Sequence, residues 1–255
     1  MKYLIRLAYD GAAYCGWQTQ KNGPSVQQCV MDALRKIFGS VSEFSGCSRT
    51  DSGVHALDFC VSFSVPGNLS CEKLISALNA NLPRDIAVFY ACPVAPDFHA
   101  RYSVRSKEYR YRILTDAVRS PFLEGKAWHR PGEYDLDLLN DAARRLRGTH
   151  DFRSFMAAGS KIEDCTRTVF DARFERSEQT LDFYVSADGF LYNMVRIMVG
   201  TLLDVPRRFS PDDIPRILAA RDRSQAGMTA PPAGLYLNRV EYGEIPLPER
   251  SDEDE

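Results

Sequence analysis

Apolar and polar positions along the first 92 residues predict four strands and two helices. Ser25 precedes one helical pattern, which Gly39 follows, and Ser70 precedes the other, which Pro83 ends. Serine is a favoured N-cap residue, and glycine and proline commonly mark helix ends. The predicted elements are a strand at 2–9, a helix at 25–38, strands at 41–46 and 57–65, a helix at 70–81 and a strand at 85–92. Their order, β-α-β-β-α-β, is that of a ferredoxin-like unit.

The rest of the chain repeats this order with additions. The predicted elements are strands at 104–114, 126–129, 166–176, 180–187 and 235–242, helices at 135–147 and 190–204, and a short helix from Ser210 with Pro211 at its first position. We therefore predict an α+β protein with two ferredoxin-like halves, joined antiparallel sheets and a central cleft. The predicted domains are residues 1–95 and 96–243, and an acidic tail at 244–255 is expected to be disordered.

Composition narrows the class of protein. Of 255 residues, 44% are hydrophobic and 26% are charged, as in ordinary soluble globular proteins. The N-terminus leads directly into a strand pattern and no apolar stretch is long enough to span a bilayer, so we expect a cytoplasmic protein without a signal peptide. The seven cysteines are scattered without a C-x-x-C pair, which argues against a disulfide framework or a structural zinc site.

Charge is distributed unevenly. The total is −2, but residues 244–255 carry six acids and one base, so the remainder of the chain has a net charge of +3. Residues 99–130 contain eight bases and three acids. Such a basic strip can bind phosphates even when the whole chain is slightly acidic, although ordinary clustering on a solvated surface is the alternative interpretation.

Residues 47–56, C-S-R-T-D-S-G-V-H-A, form a loop between two predicted strands and are called the signature loop below. In an extended backbone Arg49 and Asp51 point to the same side, so the arginine would keep the carboxylate charged. A charged carboxylate on a loop can act as a nucleophile or a base. A structural ion pair that holds a turn, with Gly53 at positive φ, explains the same spacing.

The signature loop resembles the G-R-T-D-A-G-V-H-A motif of the tRNA pseudouridine synthase A family. Further resemblances to this family are Y-D-G-A-A-Y-C-G-W-Q-T-Q at 9–20, F-H-A-R at 98–101, S-K-E-Y-R-Y at 106–111, F-L-Y-N-M-V-R-I-M-V-G at 190–200 and G-L-Y-L at 234–237. They occur in order over nearly the whole chain. The chain departs from the motif at Ser48 and Ser52, where the family has glycine and alanine. Both residues are small, so we expect altered hydrogen bonding without loss of chemistry.

The resemblance implies an enzyme that isomerises uridine to pseudouridine at positions 38, 39 and 40 of the tRNA anticodon arm. It also implies a homodimer, in which one tRNA contacts both subunits. Asp51 would be the nucleophile, and Arg49 and Arg196 would keep it charged and aimed. Because the reaction is an isomerisation, it requires no cofactor and no metal.

Arg196 lies within the apolar helix pattern at 190–204, one turn before Gly200. A buried arginine is costly unless it is paired. Asp188 or Asp204 would give a purely structural pair, whereas the resemblance places Arg196 beside Asp51. The glycine would allow another chain segment or a ligand to approach closely.

Residues 106–114 alternate in a strand pattern. Tyr109 and Tyr111 share one face with Lys107, and an aromatic ring on a sheet can stack on an unstacked base. Ordinary cross-strand packing is the alternative. The resemblance assigns the stacking role to Tyr109, and we predict that Tyr111 belongs to the core. We expect four side chains of the basic strip at 99–130 to bind backbone phosphates of the RNA: Arg101, Arg105, Lys107 and Arg110.

Several other positions are candidate substrate contacts by resemblance. They are Gly16, Trp17 and Gln18 in the first loop, His55 in the signature loop and His99 in F-H-A-R. Taken alone, the first loop could be an ordinary turn, His55 could order the signature loop, and His99 could cap a strand. His55 with Asp51 and Asp58 could also form a metal site, but their spacing matches no strong metal-binding pattern.

Two other functional classes account for fewer of these features. A non-catalytic RNA-binding protein with two RRM-like halves would need the aromatic strand motifs of that fold, which are absent. It also gives no reason for a carboxylate in a binding groove. A metal-dependent nuclease using Asp51, His55 and Asp58 lacks the carboxylate cluster that such sites need.

Overall fold

The computed structural model describes residues 1–21, 23–160, 162–177, 179–205, 207–243 and 245. The chain forms two compact units. The first comprises Met1–Arg105 together with the described residues from Arg239 onward, and the second comprises Ser106–Asn238. The first unit thus runs beyond residue 95, the end of the predicted N-terminal domain, and it includes part of the last strand. The predicted tail at 244–255 lies outside the described residues, apart from Ile245.

The first unit follows the predicted β-α-β-β-α-β order. Its elements are β1 (Lys2–Tyr9), α1 (Val26–Phe38), β2 (Ser42–Gly46), β3 (His55–Ser64), α2 (Cys71–Asn81) and β4 (Ile86–Pro93). Strand β1 lies between β3 and β4, and β2 pairs with β3, all antiparallel. The signature loop therefore connects two strands that pair with each other.

Local sequence accounts for the helix ends in the first unit. The Ser25 side chain accepts a hydrogen bond from the Gln28 amide, and Gly39 ends α1 with φ of 76°. The Ser70 side chain accepts from the Lys73 amide at the start of α2. These bonds satisfy amide groups that have no partner within the helix. The two predicted N-caps and the glycine terminus are confirmed.

A buried ion pair joins three strands of the first unit. Arg6 in β1 is fully buried, and its Nη1 lies 2.7 Å from Oδ2 of Asp58 in β3. The same Oδ2 accepts a hydrogen bond of 3.0 Å from the Val240 amide, while Arg6 Nη1 also donates to the Val240 carbonyl. Asp58 is therefore a structural residue whose carboxylate is committed to Arg6 and Val240.

In its described residues, the second unit contains six further strands or parts of strands and three α-helices. Its elements are β5 (Ser106–Leu114), β6 (Trp128–His129), α3 (Leu136–Arg144), β7 (Gly148–Asp151), β8 (Thr166–Arg176), β9 (Thr180–Ala187), α4 (Met194–Leu202), α5 (Asp213–Ala220) and β10 (Leu235–Glu241), whose last residues belong to the first unit. Strand β9 lies between β5 and β8, and β7 pairs with the other edge of β8. The α+β class is confirmed, whereas the joining of the two sheets and the cleft stay predictions.

The structure corrects two predicted elements of the second unit and adds one that was not predicted. Helix α4 begins at Met194 rather than 190, because Asn193 adopts a left-handed conformation with φ of 59°. Helix α5 begins at Asp213, so Pro211 is not its first residue; the Asp213 amide instead donates to Ser210 in a preceding turn. Strand β7 was not predicted, since its four residues G-T-H-D show no apolar alternation.

Two further findings concern the class of protein. All seven cysteines, each of them a described residue, are free thiols. Of the helices in the described part of the chain, none combines the length and the apolar character required for a membrane span.

Candidate active site

The signature loop leaves β2 and enters β3 through a tight turn around Asp51. The Asp51 carbonyl accepts a hydrogen bond of 3.1 Å from the Val54 amide, and Gly53 between them has φ of 77°. This confirms the predicted positive φ at Gly53, a conformation that glycine adopts without steric cost. The Asp51 side chain is half-buried, so its carboxylate is held on a defined turn without being sealed from a ligand.

Residues 10–18, which we call the brace loop, are hydrogen-bonded to the signature loop. The Trp17 amide donates to the Thr50 carbonyl over 3.1 Å, and the Gly53 amide donates to the Tyr14 carbonyl over 3.4 Å. The Ser52 hydroxyl donates to the same Tyr14 carbonyl over 3.2 Å. Residues on both sides of Asp51 are thereby attached to one neighbouring segment.

Two glycines of the brace loop allow this close approach. A Cβ atom on Gly16 would lie 2.3 Å from the Thr50 carbonyl oxygen, and one on Gly11 would lie 2.0 Å from the Val54 carbonyl oxygen. Gly16 also has φ of 92°. The brace loop therefore packs against the backbone of the signature loop at distances that no side chain would permit.

Trp17 supports the signature loop from inside the first unit. The side chain is buried and stacks on Phe59, with ring centroids 4.1 Å apart, and on Phe44 at 6.2 Å. A Cβ on Gly46 would lie 2.7 Å from the indole ring. The Trp17 ring thus faces the core, while the neighbouring Gln18 is exposed, and contact of either residue with RNA stays a prediction.

His55 also holds the brace loop. The ring is buried, and its Nδ1 lies 3.0 Å from Oδ1 of Asp10 and 3.1 Å from the Gly11 amide nitrogen. Nδ1 can donate to the carboxylate or accept from the amide, and either bond attaches β3 to the brace loop. Among the described residues there is no group of three or more His, Cys, Asp or Glu side chains that could hold a metal ion. The structure thus gives His55 an ordering role.

Arg49 is placed differently from the expectation. Its side chain is exposed, and within the described residues its guanidinium has neither a hydrogen bond nor an ion pair. The sequence-based expectation that Arg49 pairs with Asp51 is therefore wrong. Strand β2 ends at Gly46 and β3 begins at His55, so Arg49 and Asp51 lie outside the strands whose extended backbone the side-by-side placement assumed.

Arg196 is held firmly within the second unit. It is half-buried in the first turn of α4; its Nε donates to the Ala230 carbonyl over 2.7 Å and its Nη1 to the Asn193 side-chain oxygen over 2.8 Å. Glycine at position 200 allows the segment that contains Met228 and Ala230 to lie against α4, since a Cβ on Gly200 would be only 1.9 Å from the Met228 carbonyl oxygen. The predicted close approach at Gly200 is confirmed, and the segment that approaches contains Met228 and Ala230.

The two carboxylates considered as structural partners of Arg196 have other contacts. Asp204 pairs with Arg130, with 2.5 Å between Oδ1 and Nη2, and Asp188 accepts a hydrogen bond of 3.0 Å from the Thr168 amide. The alternative of a structural pair with either residue is thus weakened.

The tyrosines of β5 are both buried. The Tyr109 ring meets Phe190 edge to face, with centroids 4.9 Å apart. The Tyr111 hydroxyl donates to the Pro231 carbonyl over 2.7 Å, and burial raises the pKa of Tyr111, so it stays neutral. The prediction that Tyr111 belongs to the core is confirmed.

A family model described as tRNA pseudouridine synthase matches residues 6–103 and 142–243 of this chain. The chain belongs to the tRNA pseudouridine synthase family. It is 48% identical over 241 residues to tRNA pseudouridine synthase A of Moorella thermoacetica, covering 93% of this chain and 98% of the relative. The enzyme of the same name from Thermoanaerobacter sp. strain X514 is 43% identical, and the match covers 94% of this chain and 98% of that relative. The one from Geobacillus kaustophilus is 44% identical, and the match covers 92% of each chain. The resemblance is confirmed, and the chain is an isomerase that forms pseudouridine in tRNA.

The basic strip of this synthase is less uniform than predicted. Arg101 and Arg105 are exposed, whereas Lys107 is half-buried. Arg110 is bound to the buried Asp182, with Nε 3.0 Å from the carboxylate and Nη2 also in contact. Phosphate binding by Arg110 would have to compete with that carboxylate, so Arg101 and Arg105 are the stronger candidates in the synthase.

Sequence reasoning missed two supporting residues of the synthase. The buried Thr50 hydroxyl shares a hydrogen bond of 2.8 Å with the Tyr9 hydroxyl, and Tyr14 donates to Asp85 over 2.7 Å. Burial and the bond to Asp85 raise the pKa of Tyr14, so it remains a neutral donor. Tyr9 and Tyr14 are the first and last residues of the Y-D-G-A-A-Y segment at 9–14, which was the available signal in the sequence.

Proposed function

We propose that this synthase converts uridine to pseudouridine at positions 38, 39 and 40 of the tRNA anticodon arm, with Asp51 as the nucleophile. The observation that carries the proposal is the fixation of Asp51. Its turn is hydrogen-bonded at Thr50 and Gly53 to the brace loop, and the close approach depends on glycine at position 16. A nucleophile held on a fixed backbone needs little reorganisation when the substrate binds.

The proposed reaction breaks the N1–C1′ bond of the target uridine and joins C5 of the same uracil to C1′. Asp51 attacks the sugar C1′ or the uracil C6, or it assists elimination through a glycal; a covalent bond to Asp51 is broken again before the product leaves, which regenerates the carboxylate. The uracil turns, the new C5–C1′ bond forms, and the C5 hydrogen is lost to solvent while N1 gains a proton. All heavy atoms are retained, so the proposal includes no cofactor and no metal. The target base must first leave its stack, at a cost of a few kcal/mol.

We assign roles to three further side chains. Arg196, already oriented by Asn193 and Ala230, keeps the Asp51 carboxylate charged, and Tyr109 stacks on the extruded uracil. Arg49, which is exposed, interacts with the substrate instead of with Asp51. The placement of Asp51 next to Arg196 and Tyr109 stays a prediction, and variants test it.

The proposal includes a cytoplasmic homodimer that binds one tRNA through both subunits. A single chain of 255 residues offers little surface to an L-shaped RNA. Arg101 and Arg105 supply exposed positive charge for phosphates.

One assay tests the reaction. The protein is incubated with tRNA that carries tritium at C5 of uridines 38–40, with a chelator present. Release of tritium to solvent without chain cleavage is the expected result. Chelator-sensitive cleavage would favour a nuclease, and binding with neither change would favour a non-catalytic RNA-binding protein. Asp51→Ala should abolish release while tRNA affinity stays within about tenfold of the wild type, or roughly 1.4 kcal/mol.

The role of Arg196 needs a matched control. Arg196→Met should lose activity at saturating tRNA. Arg130→Met removes another arginine of the second unit, the partner of Asp204, and should lower stability while activity is retained. Equal losses of activity and of stability in both variants would contradict a catalytic role for Arg196.

A further inference from the structure

The turn at residues 98–103 presents an exposed aromatic ring that none of the roles above uses. Tyr102 is 77% exposed, although it follows the buried Ala100 by only two residues. Its ring centroid lies 4.4 Å from that of His99, with 32° between the planes, and the Arg101 guanidinium carbon lies 5.8 Å from the Tyr102 centroid. We call His99, Arg101 and Tyr102 the stacking platform.

Hydrogen bonds fix the backbone of this turn. His99 Nδ1 accepts from the Arg101 amide over 3.1 Å and from the Tyr102 amide over 3.4 Å. The Ser103 hydroxyl accepts from the His99 amide over 3.1 Å, and the Ser103 amide donates to the His99 carbonyl over 2.9 Å. His99 therefore stabilises the backbone of the turn by these hydrogen bonds, and its ring packs against the Tyr102 ring.

Ala100 anchors the turn to the core of the first unit. Its amide donates to the buried Ser62 hydroxyl over 3.0 Å, and its carbonyl accepts from the Tyr242 hydroxyl over 2.6 Å. The Tyr242 ring also packs on Phe98, with centroids 5.2 Å apart. An exposed tyrosine on so constrained a turn loses little conformational entropy when a ligand covers it.

From this geometry we infer that the stacking platform binds an unpaired nucleobase of the tRNA, with the base on the Tyr102 ring and Arg101 beside the adjoining phosphate. The inference rests on the proposed tRNA substrate and adds a contact outside the reacting uridine. An aromatic ring can stack on any base, because every base has a π-face. An arginine beside the ring adds positive charge that attracts the phosphates of the RNA backbone. His99 is a positioning residue here.

Three variants test the inference by tRNA affinity. Tyr102→Leu keeps an apolar side chain but removes the ring, and it should weaken binding about 5- to 150-fold. Tyr102→Phe keeps the ring and should bind within about twofold of the wild type. Arg101→Gln should lower the slope of log Kd against log salt by about one, whereas Tyr102→Leu should leave the slope unchanged.

Other results would overturn the inference. Wild-type affinity in Tyr102→Leu would show that no base stacks there, and equal weakening in both Tyr102 variants would assign the effect to the hydroxyl. Dissociation of a dimer in Tyr102→Leu, with tRNA affinity restored at high protein concentration, would make Tyr102 a contact to a second copy of the chain. Tritium release by the wild type tests the proposed reaction separately, so a failed reaction and a failed platform are distinguishable.

Discussion

Replacing Gly16 with alanine should displace Asp51 without removing any catalytic group. The new Cβ would lie 2.3 Å from the Thr50 carbonyl oxygen and 2.9 Å from the Asp51 carbonyl carbon, whereas ordinary contacts begin at 3.4 Å. The Thr50–Asp51 backbone must therefore move by about 1.1 Å, or the brace loop must move instead. A misplacement of about 1 Å can cost about 100-fold in rate, equivalent to roughly 2.7 kcal/mol of transition-state stabilisation.

The assay is single-turnover tritium release at saturating tRNA. Gly16→Ala should lower the rate about 100-fold while tRNA affinity changes less than about threefold, because Gly16 is buried and offers no side chain to RNA. Its positive φ adds a stability cost of roughly 1–2 kcal/mol. Gly67→Ala is the matched control: φ there is 89°, and a new Cβ would meet no atom within 4 Å. That variant should show the stability cost and retain activity.

Two results would refute this reasoning. A folded Gly16→Ala protein with the wild-type rate would show that the brace loop does not position Asp51. A similar loss of rate in Gly67→Ala would show that general destabilisation, and not displacement of the signature loop, lowers activity. Gly11→Ala offers an independent check, because it places a Cβ 2.0 Å from the Val54 carbonyl oxygen without the penalty of a positive φ.

Three further predictions concern the first unit. Asp58→Ala leaves the fully buried Arg6 without its carboxylate and should destabilise the protein by about 3–5 kcal/mol in urea unfolding; a change below about 1 kcal/mol would contradict the structural role of this pair. Ser52→Ala removes the bond to the Tyr14 carbonyl and should cost about 0.5–1.5 kcal/mol while the rate stays within about twofold, so a tenfold loss of rate would give the hydroxyl a chemical role. Burial raises the pKa of the Cys60 thiol, so a disulfide reagent such as DTNB should modify Cys60 only after unfolding, and mass-spectrometric detection of the adduct in the native protein would contradict this.

Elements whose signals are local in the chain could be predicted from the sequence. The caps at Ser25 and Ser70 depend on residues within four positions, and so does the turn at Gly53. Helix α4 was predicted to begin too early because Phe190 and Leu191 extend its apolar pattern. The left-handed backbone of Asn193, whose side chain accepts from Arg196, interrupts the helix there.

Placement of site residues depends on tertiary contacts and was predicted less well. Trp17 lies in one of the segments that resemble the family, but the sequence alone could not show that its ring is buried against Phe59. Arg49 was assigned to Asp51 from their spacing in an extended backbone, but both residues lie outside strands β2 and β3. Arg196 was predicted to need a partner, and two of its hydrogen-bond acceptors are oxygens of Asn193 and Ala230.

The bonds between the brace loop and the signature loop explain why the chain can depart at Ser52 from the motif that it resembles. Besides the Ser52 hydroxyl and the His55 ring, which contacts Asp10 and Gly11, the hydrogen bonds described between the two loops join backbone groups, such as the Trp17 amide to the Thr50 carbonyl. A small change of side chain does not alter a hydrogen bond between backbone groups, but a change in the distance between the two loops does. Glycine at positions 11 and 16 of the brace loop is therefore the stricter requirement, because it permits the short distance between the two loops. The signature loop accepts serine at position 52, where the hydroxyl adds a hydrogen bond to the Tyr14 carbonyl.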